Sequence, residues 1–326
     1  MRAAIHNQFG DPAAVMEFAE VPAPVAAKGE VLIRTILSPI HNHDLWTIRG
    51  EYGYKPSLPG AIGGTEAVGI VEAVGEGVDS SLIGARIAVA AVHGTWAERF
   101  VAPAATIVPL PEGIPDELGA QLIAMPFSAI ALLEFVQAEA GDWVIQTAAN
   151  GAVGKIMVSL AKERGLKLLN LVRRKAAAEE LTALGVENVL STDEPGWKEK
   201  AREIIGEKGA VTAIDSVGGA IALDLTDLLG RNGELISFGT STGELLQLST
   251  HELITKHLKI RGFWAALIFE EMSAETQIRL LTELVTLAAK GALRLETGGI
   301  YPLEQVREAM MAAQTSGRAG KIMLRP

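Results

Sequence analysis

Apolar positions follow two different periods along the chain, and the change from one to the other divides it. From residue 1 to about 115 the apolar runs are short and of β type, at 3–5, 30–37, 67–74, 85–92 and 97–101, with Gly- and Pro-rich breaks between them. That spacing predicts a compact, partly barrel-like β domain. Within it, residues 41–53 read HNHDLWTIRGEYG, a polar and aromatic segment running into a Pro-rich loop that suits a substrate wall. From Asp116 the pattern becomes helical, with Leu118, Leu122 and residues 129–136 apolar around Pro126.

The next stretch carries the strongest local signal. Residues 143–146 form a short apolar strand, 147–151 a small-residue turn, Ile156, Leu160 and Ala161 recur at helical spacing, and 166–172 return as an apolar run. Strand, crossover helix and parallel strand in that order make a dinucleotide-binding unit. Its turn, Ala149-Asn150-Gly151-Ala152-Val153-Gly154, fits A-x-G-x-x-G, keeping the second and third glycines of the fingerprint. Gly151 allows the backbone to approach a pyrophosphate, Gly154 allows helix and strand to pack closely, and the helix start offers free N–H groups. The bland alternative is an ordinary tight strand–helix turn.

The end of the second strand bears on which nucleotide binds. An acid there would hold a ribose 2′-hydroxyl, but Val172 is followed by Arg173, Arg174 and Lys175, with no acid before Glu179. Guanidinium forks suit a 2′-phosphate and hence NADPH, although a basic trio after a strand is also a solvated helix start. Alternation of strand and helix continues at 210–215, 220–229, 233–238 and 252–257, which predicts a doubly wound sheet. After residue 258 a strand at 259–263, helices at 273–290 and 303–313 and a strand at 321–324 are expected to rejoin the first domain. The expected division is therefore 1–117 with 259–326 as catalytic and substrate domain, and 118–258 as nucleotide domain.

Composition narrows the function. The 326 residues are 48% hydrophobic, enough for two cores. Basic residues number 29 against 39 acidic, a net charge of −10 with no basic tract, which disfavours nucleic acid as a partner. The chain has no cysteine, so disulfides, thiolate zinc sites and cysteine nucleophiles are excluded, and a reducing compartment fits. No apolar run reaches membrane-spanning length and the N-terminal MRAAIHNQFG lacks a signal-peptide core, so the expectation is a cytoplasmic protein without membrane insertion.

Five segments, IRGEYGYKPSLPGAIGGTEAVG (48–69), GDWVIQTAANGAVG (141–154), VRRK (172–175), DSVGG (215–219) and HLKIRGFW (257–264), carry a resemblance over nearly the whole chain. The sequence resembles the medium-chain dehydrogenase/reductase superfamily, and within it the zinc-free NADPH-dependent 2-enoyl thioester reductases of the mitochondrial type and the quinone oxidoreductase-like branch. The resemblance implies an α/β architecture, a GroES-like β domain plus a Rossmann domain, with the active cleft between them, and a homodimer joined through the edge strands of the nucleotide domains. It places the catalytic tyrosine at Tyr52, in Gly50-Glu51-Tyr52-Gly53. A phenol protonated at neutral pH suits donation to a thioester carbonyl as hydride reaches Cβ. Tyr54 is a neighbour able to fill the same role, or either ring is an aromatic lid.

Cofactor contacts implied by the resemblance are Asn150, Gly151, Ala152, Val153 and Gly154 on the pyrophosphate, Arg173, Arg174 and Lys175 on the 2′-phosphate, Phe238, Gly239, Thr240 and Ser241, then Phe263, Trp264 and Ala265 beside the nicotinamide. Lys321, in Ala319-Gly320-Lys321-Ile322, matches a terminal lysine of the family. Phe263 and Trp264 read equally as core packing at a domain joint. The family's Asn-Pro appears here as His41-Asn42 and its asparagine before Pro126 as Met125, so His41, His43, Tyr54, Met125 and Trp264 are expected to line the substrate pocket. Where the metal-dependent branch has Gly-His-Glu this chain has Gly64-Thr65-Glu66, so no metal site is expected and His41 and His43 read as polar pocket residues. The expected reaction is NADPH-dependent reduction of the C=C bond of an acyl thioester or another activated alkene. The alternatives are a zinc-free NADPH:quinone or enone reductase and, outside that class, a non-catalytic NADPH-binding structural or sensor protein.

Overall fold

The computed structural model describes residues 1–293, 295–315, 318 and 320–326. These form two compact units, Met1–Phe127 with Leu281–Pro326, and Ser128–Leu280.

The first unit opens with β1 (Arg2–His6), β2 (Met16–Glu20), β3 (Glu30–Pro39), β4 (Ala61–Ile62), β5 (Glu66–Val74), β6 (Arg86–Ala90), β7 (Arg99–Pro103) and β8 (Val108–Pro109). One small sheet has the order β2-β1-β4, while β3, β5, β6 and β8 run in sequence with β7 on β3. Along β3 the alternating Val31 and Ile33 point inward and meet Ala67, Val71, Ile87, Val89 and Phe100, so period 2 in the sequence becomes one buried face. Residues 42–49, read from sequence as the start of a loop, instead form a helix. Asp44 accepts a hydrogen bond from His41 N at 2.8 Å, Leu45 and Ile48 are buried, and Gly50 ends the helix in the left-handed region at φ 77°.

The second unit contains β9 (Trp143–Gln146), β10 (Lys167–Val172), β11 (Val189–Ser191), β12 (Ala210–Asp215), β13 (Leu229–Ser237) and β14 (Lys259–Gly262). They form one parallel sheet in the order β11-β10-β9-β12-β13-β14. Renumbered from β9 this is the 3-2-1-4-5-6 order of a doubly wound Rossmann sheet, whose strand order reverses between β9 and β12. Ile145, Leu169, Leu171, Leu225, Leu228 and Leu235 fill its core around Trp197. Side chains of this size contribute about 1.5–3 kcal/mol each when fully buried. The expectation that the chain rejoins the first domain from residue 259 is corrected here. β14 pairs in parallel with β13, because Leu258 and Ile260 pack against the apolar core of this sheet.

The chain returns to the first unit with β15 (Thr297–Pro302) and β16 (Lys321–Arg325), which extend its large sheet as β15-β16-β3. The helix Val306–Gln314 buries Val306, Ala309, Met310 and Ala313 against Met16, Ile40, Leu45, Ile48 and Trp96. Ala319, part of the motif around Lys321, lies outside the described residues.

Candidate active site

In the first unit the polar residues of the 41–53 segment do not stand alone. Gly63 and Gly64 cross the fully buried Trp96 so closely that a Cβ would lie 2.2 Å from its ring at Gly63 and 2.3 Å from Thr95 Oγ1 at Gly64, where φ is +91°. Only glycine fits that crossing. It delivers Thr65 and Glu66, at the start of β5, to the helix 42–49.

Glu66 is fully buried, accepts hydrogen bonds from Ile123 N at 2.7 Å and Ala124 N at 2.8 Å, and is hydrogen-bonded through Oε2 to His41 Nε2 at 2.7 Å. It therefore holds the N-terminus of the helix Ala124–Val136, which carries Met125, and the cap of helix 42–49 at once. Burial pushes its carboxyl up to about 7, against the opposing pull of the two amides and of Lys321. Lys321 is pushed down to about 8 by burial and then by Arg318, with Asp44 and Glu66 opposing. Burial, followed by the charge of Lys321, holds His41 well below the usual imidazole range. His41 is thus neutral, and its Nε2 shares a hydrogen with Glu66 Oε2. Its arrangement with Asp44 has capping-box form, but the Asp44 amide stops short of hydrogen bonding the ring and Nδ1 has no partner.

A second strand of polar contacts runs through Asp44, whose Oδ1 accepts from Thr65 Oγ1 at 2.8 Å, while His43 Nε2 lies 2.8 Å from the same hydroxyl. The rings of His41 and His43 stack at 4.9 Å, and that of Tyr52 follows His43 at 5.8 Å with Trp46 at 6.5 Å. Tyr52 is 38% exposed. Tyr54 departs from this column and stacks on His93 at 3.9 Å. Of the residues expected around the substrate, the structure joins His41, His43 and Tyr52 in one stack and gives Tyr54 a different partner. Sequence reasoning missed Asp44, Glu66 and His93 as members of this cluster. An acid three residues after His41 is a helix-cap signal that would have found Asp44.

In the second unit the A-x-G-x-x-G turn follows β9 as its pattern requires. Gly151 caps the helix Ala152–Glu163 without a side-chain hydrogen bond, and no acid occupies the first turn, so the helix start suits an anion. At Gly154 a Cβ would lie 2.6 Å from Ala149 O, so helix and turn approach only through glycine. Asp215, fully buried at the end of β12, accepts from Thr147 Oγ1 at 3.0 Å, Val217 N at 2.9 Å and Gly218 N at 3.1 Å. Its carbonyl accepts from Phe238 N at 2.8 Å and Gly239 N at 3.1 Å. One carboxylate and its own carbonyl thereby tie the turns after β9, β12 and β13, including Phe238–Ser241, along the carboxyl edge of the sheet where nucleotides bind.

Arg173 and Arg174 follow β10 exposed, and Lys175 begins the next helix with Nζ 3.6 Å from Glu194 Oε1. With side chains 67% and 38% exposed that pair is weak, but it supplies an acid the sequence neighbourhood did not reveal. Phe263 is buried, edge-on to Phe135 at 5.4 Å and 5.8 Å from Phe238, whereas Trp264 is 68% exposed and Ala265 begins a short helix. Sequence gave the two aromatics one role, and the fold separates them.

The chain matches the profile described as alcohol dehydrogenase GroES-like domain over residues 27–112 and that described as zinc-binding dehydrogenase over residues 152–283. It is 30% identical over 319 residues to the mitochondrial enoyl-[acyl-carrier-protein] reductase of Homo sapiens, covering 96% of this chain and 85% of that one. Among solved structures it resembles a mycobacterial quinone oxidoreductase at TM-score 0.87 and 26% identity, over 100% of both chains. The quinone oxidoreductase from Thermus thermophilus, solved also in complex with NADPH, gives TM-score 0.81 and 25% identity over 100% of both chains.

The residues of this chain do not fit the zinc of the profile's description. Thr65 already shares its hydroxyl between Asp44 and His43, His41 Nε2 is taken by Glu66, and the sequence offers no thiolate. Among the described residues no group of three or more His, Cys, Asp or Glu is placed to hold a metal ion, and no helix is long and apolar enough to cross a membrane. A GroES-like unit, a Rossmann sheet in its full strand order and 30% identity to an enoyl reductase over 96% of the chain make this chain a member of the medium-chain dehydrogenase/reductase superfamily of oxidoreductases, on its enoyl reductase and quinone oxidoreductase-like branch.

Proposed function

We propose that this protein reduces the C=C bond of a trans-2-enoyl thioester with NADPH. The observation that carries the reading is the exposed Tyr52 in a stacked column rooted in the buried His41–Glu66 pair, in a chain that is 30% identical to an enoyl reductase. NADPH, when bound, supplies a hydride to Cβ of the substrate. Gly151, Ala152, Val153 and the start of helix 152–163 would hold its pyrophosphate, Arg173 and Arg174 its 2′-phosphate, and the 238–241 turn, fixed by Asp215, its nicotinamide half. Tyr52 donates its hydroxyl to the thioester carbonyl and stabilises the oxyanion that grows there. A homodimer fits this reading, since β14 ends the six-stranded sheet with one open edge.

The second reading is an NADPH:quinone reductase, favoured by the whole-length likeness to quinone oxidoreductases. It needs the same cofactor site and depends less on the Tyr52 hydroxyl. NADPH oxidation measured against crotonyl-CoA, a longer trans-2-enoyl-CoA and a soluble quinone separates the two. Tyr52→Phe should lower kcat for crotonyl-CoA about 100-fold with NADPH binding retained. Tyr54→Phe should not, because Tyr54 belongs to the His93 stack. Equal losses in both variants, or parent-like crotonyl-CoA reduction by Tyr52→Phe, would remove Tyr52 from the chemistry.

A further inference from the structure

Hydrogen-bond accounting around Thr65 fixes the protonation of His43. Asp44 is an acceptor on both oxygens: Oδ2 takes the His41 amide at 2.8 Å and Oδ1 takes the Thr65 hydroxyl at 2.8 Å. The single hydrogen of Thr65 Oγ1 is thereby committed, so the 2.8 Å contact with His43 Nε2 requires an N–H on that nitrogen. A directed chain results, His43 Nε2–H to Thr65 Oγ1–H to Asp44 carboxylate. It leaves Nδ1 as the ring nitrogen not committed to this chain. Among the described residues Nδ1 has no hydrogen-bond partner, and the side chain is 23% exposed.

Asp44 Oδ1 lies 3.7 Å from His43 Nε2, and the stacked His41 is buried and held neutral. The other titratable groups around the cluster are Glu66 from β5, His93 after β6, Lys321 from β16 and Tyr52, whose ring stands 5.8 Å from His43 on its outer side.

We propose that His43 is the general acid of the reduction, delivering a proton from Nδ1 to the substrate's α-carbon, with Thr65 and Asp44 as its positioning residues. The inference rests on the enoyl thioester reading. As hydride from the reduced nicotinamide adds to Cβ, the π pair of the alkene moves toward Cα and the carbonyl, where Tyr52 donates. His43 acts from its doubly protonated form: its Nδ1–H bond breaks, the proton forms the new Cα–H bond with that pair, and the ring is left neutral. His43 keeps its Nε2–H on Thr65 and regains a proton at Nδ1 from solvent. One alkene, one hydride and one proton give one saturated thioester, and the nicotinamide leaves oxidised. Two hydrogen donors thus divide the work, Tyr52 on oxygen and His43 on carbon.

The test combines a spectrum with kinetics. ¹⁵N NMR of the cofactor-free protein should show neutral His43 protonated at Nε2, and Thr65→Val should lose that preference; a parent ring protonated at Nδ1 when neutral overturns the relay. With crotonyl-CoA, His43→Gln should lower kcat about 100-fold while NADPH affinity stays within twofold. Added imidazole should restore part of the rate to His43→Ala. Parent-like kcat in His43→Gln, or a loss that imidazole leaves untouched, overturns the assignment while the enoyl reading stands on the parent's activity. A parent protein that reduces no enoyl-CoA overturns that reading and this inference with it.

Discussion

Replacing Glu66 by Gln tests the electrostatics at the root of the stacked column. The carboxyl is fully buried and its affinity for a proton is raised to about 7 from an ordinary value of 4.5. Between those two values the folded chain binds more protons than the unfolded chain, so the Glu66 contribution makes stability fall as pH rises through this window. A rise of this size corresponds to about 3 kcal/mol across the window. Gln keeps one oxygen for the Ile123 and Ala124 amides and turns its NH₂ toward His41, which accommodates it by moving its own proton to the unpartnered Nδ1. The variant should therefore remain within about 1 kcal/mol of the parent at pH 4.5 and gain on it by up to about 3 kcal/mol at pH 7.5. Urea denaturation of both proteins across this range measures the difference. Parallel pH profiles would show that Glu66 is not held as a high-affinity acid. Glu66→Ala is the contrasting variant: it strands two amides and an imidazole N–H, each at about 1–3 kcal/mol, and should be destabilised at every pH.

Three further outcomes follow from the geometry. Removing Arg173 and Arg174 together should weaken NADPH binding about 10- to 100-fold and leave NADH unchanged, since each charge-assisted phosphate bond is worth about 1.5–3 kcal/mol before solvent screening; equal NADPH affinity by titration would refute the 2′-phosphate assignment. Activity should be indifferent to chelation, because Thr65 Oγ1 and His41 Nε2 are already engaged and no cysteine is available; stoichiometric zinc whose removal abolishes turnover would show otherwise. Gly64→Ala should cost at least about 2 kcal/mol, since its Cβ meets Thr95 Oγ1 at 2.3 Å from a backbone at φ +91°; an unchanged denaturation midpoint would mean that the crossing over Trp96 relaxes freely.

The dinucleotide unit was legible because its determinants are local. Strand 143–146, the turn to Gly154 and the helix after it are specified by residues a few positions apart, and the two glycines announce close backbone approach by their identity. The basic trio after β10 was equally plain, and so were Tyr52 and the loss of the zinc-ligand histidine at Thr65. The polar and aromatic character of 41–53 did not announce a helix, because the helix 42–49 depends on a cap from Asp44 and on burying Leu45 and Ile48 against the helix 306–314, more than 250 residues away in the chain.

What the sequence alone determined, then, was the alternation that makes the sheet and the residue types available for chemistry; pairing across distance was decided only by tertiary structure. Strand β14 has an ordinary β pattern that suits either unit, and the fold assigns it to the Rossmann sheet through its register on β13 and the packing of the partly buried Ile260 against that sheet's core. His43 and Thr65 stand 22 residues apart, and Glu66 reaches amides 57 and 58 residues further on. No periodicity encodes such contacts. They exist because Gly63 and Gly64 let β5 start directly over Trp96, which brings a hydroxyl and a carboxylate under the same helix cap and gives two histidines with similar neighbours different settings, one ring buried against Glu66 and one partly exposed against Thr65.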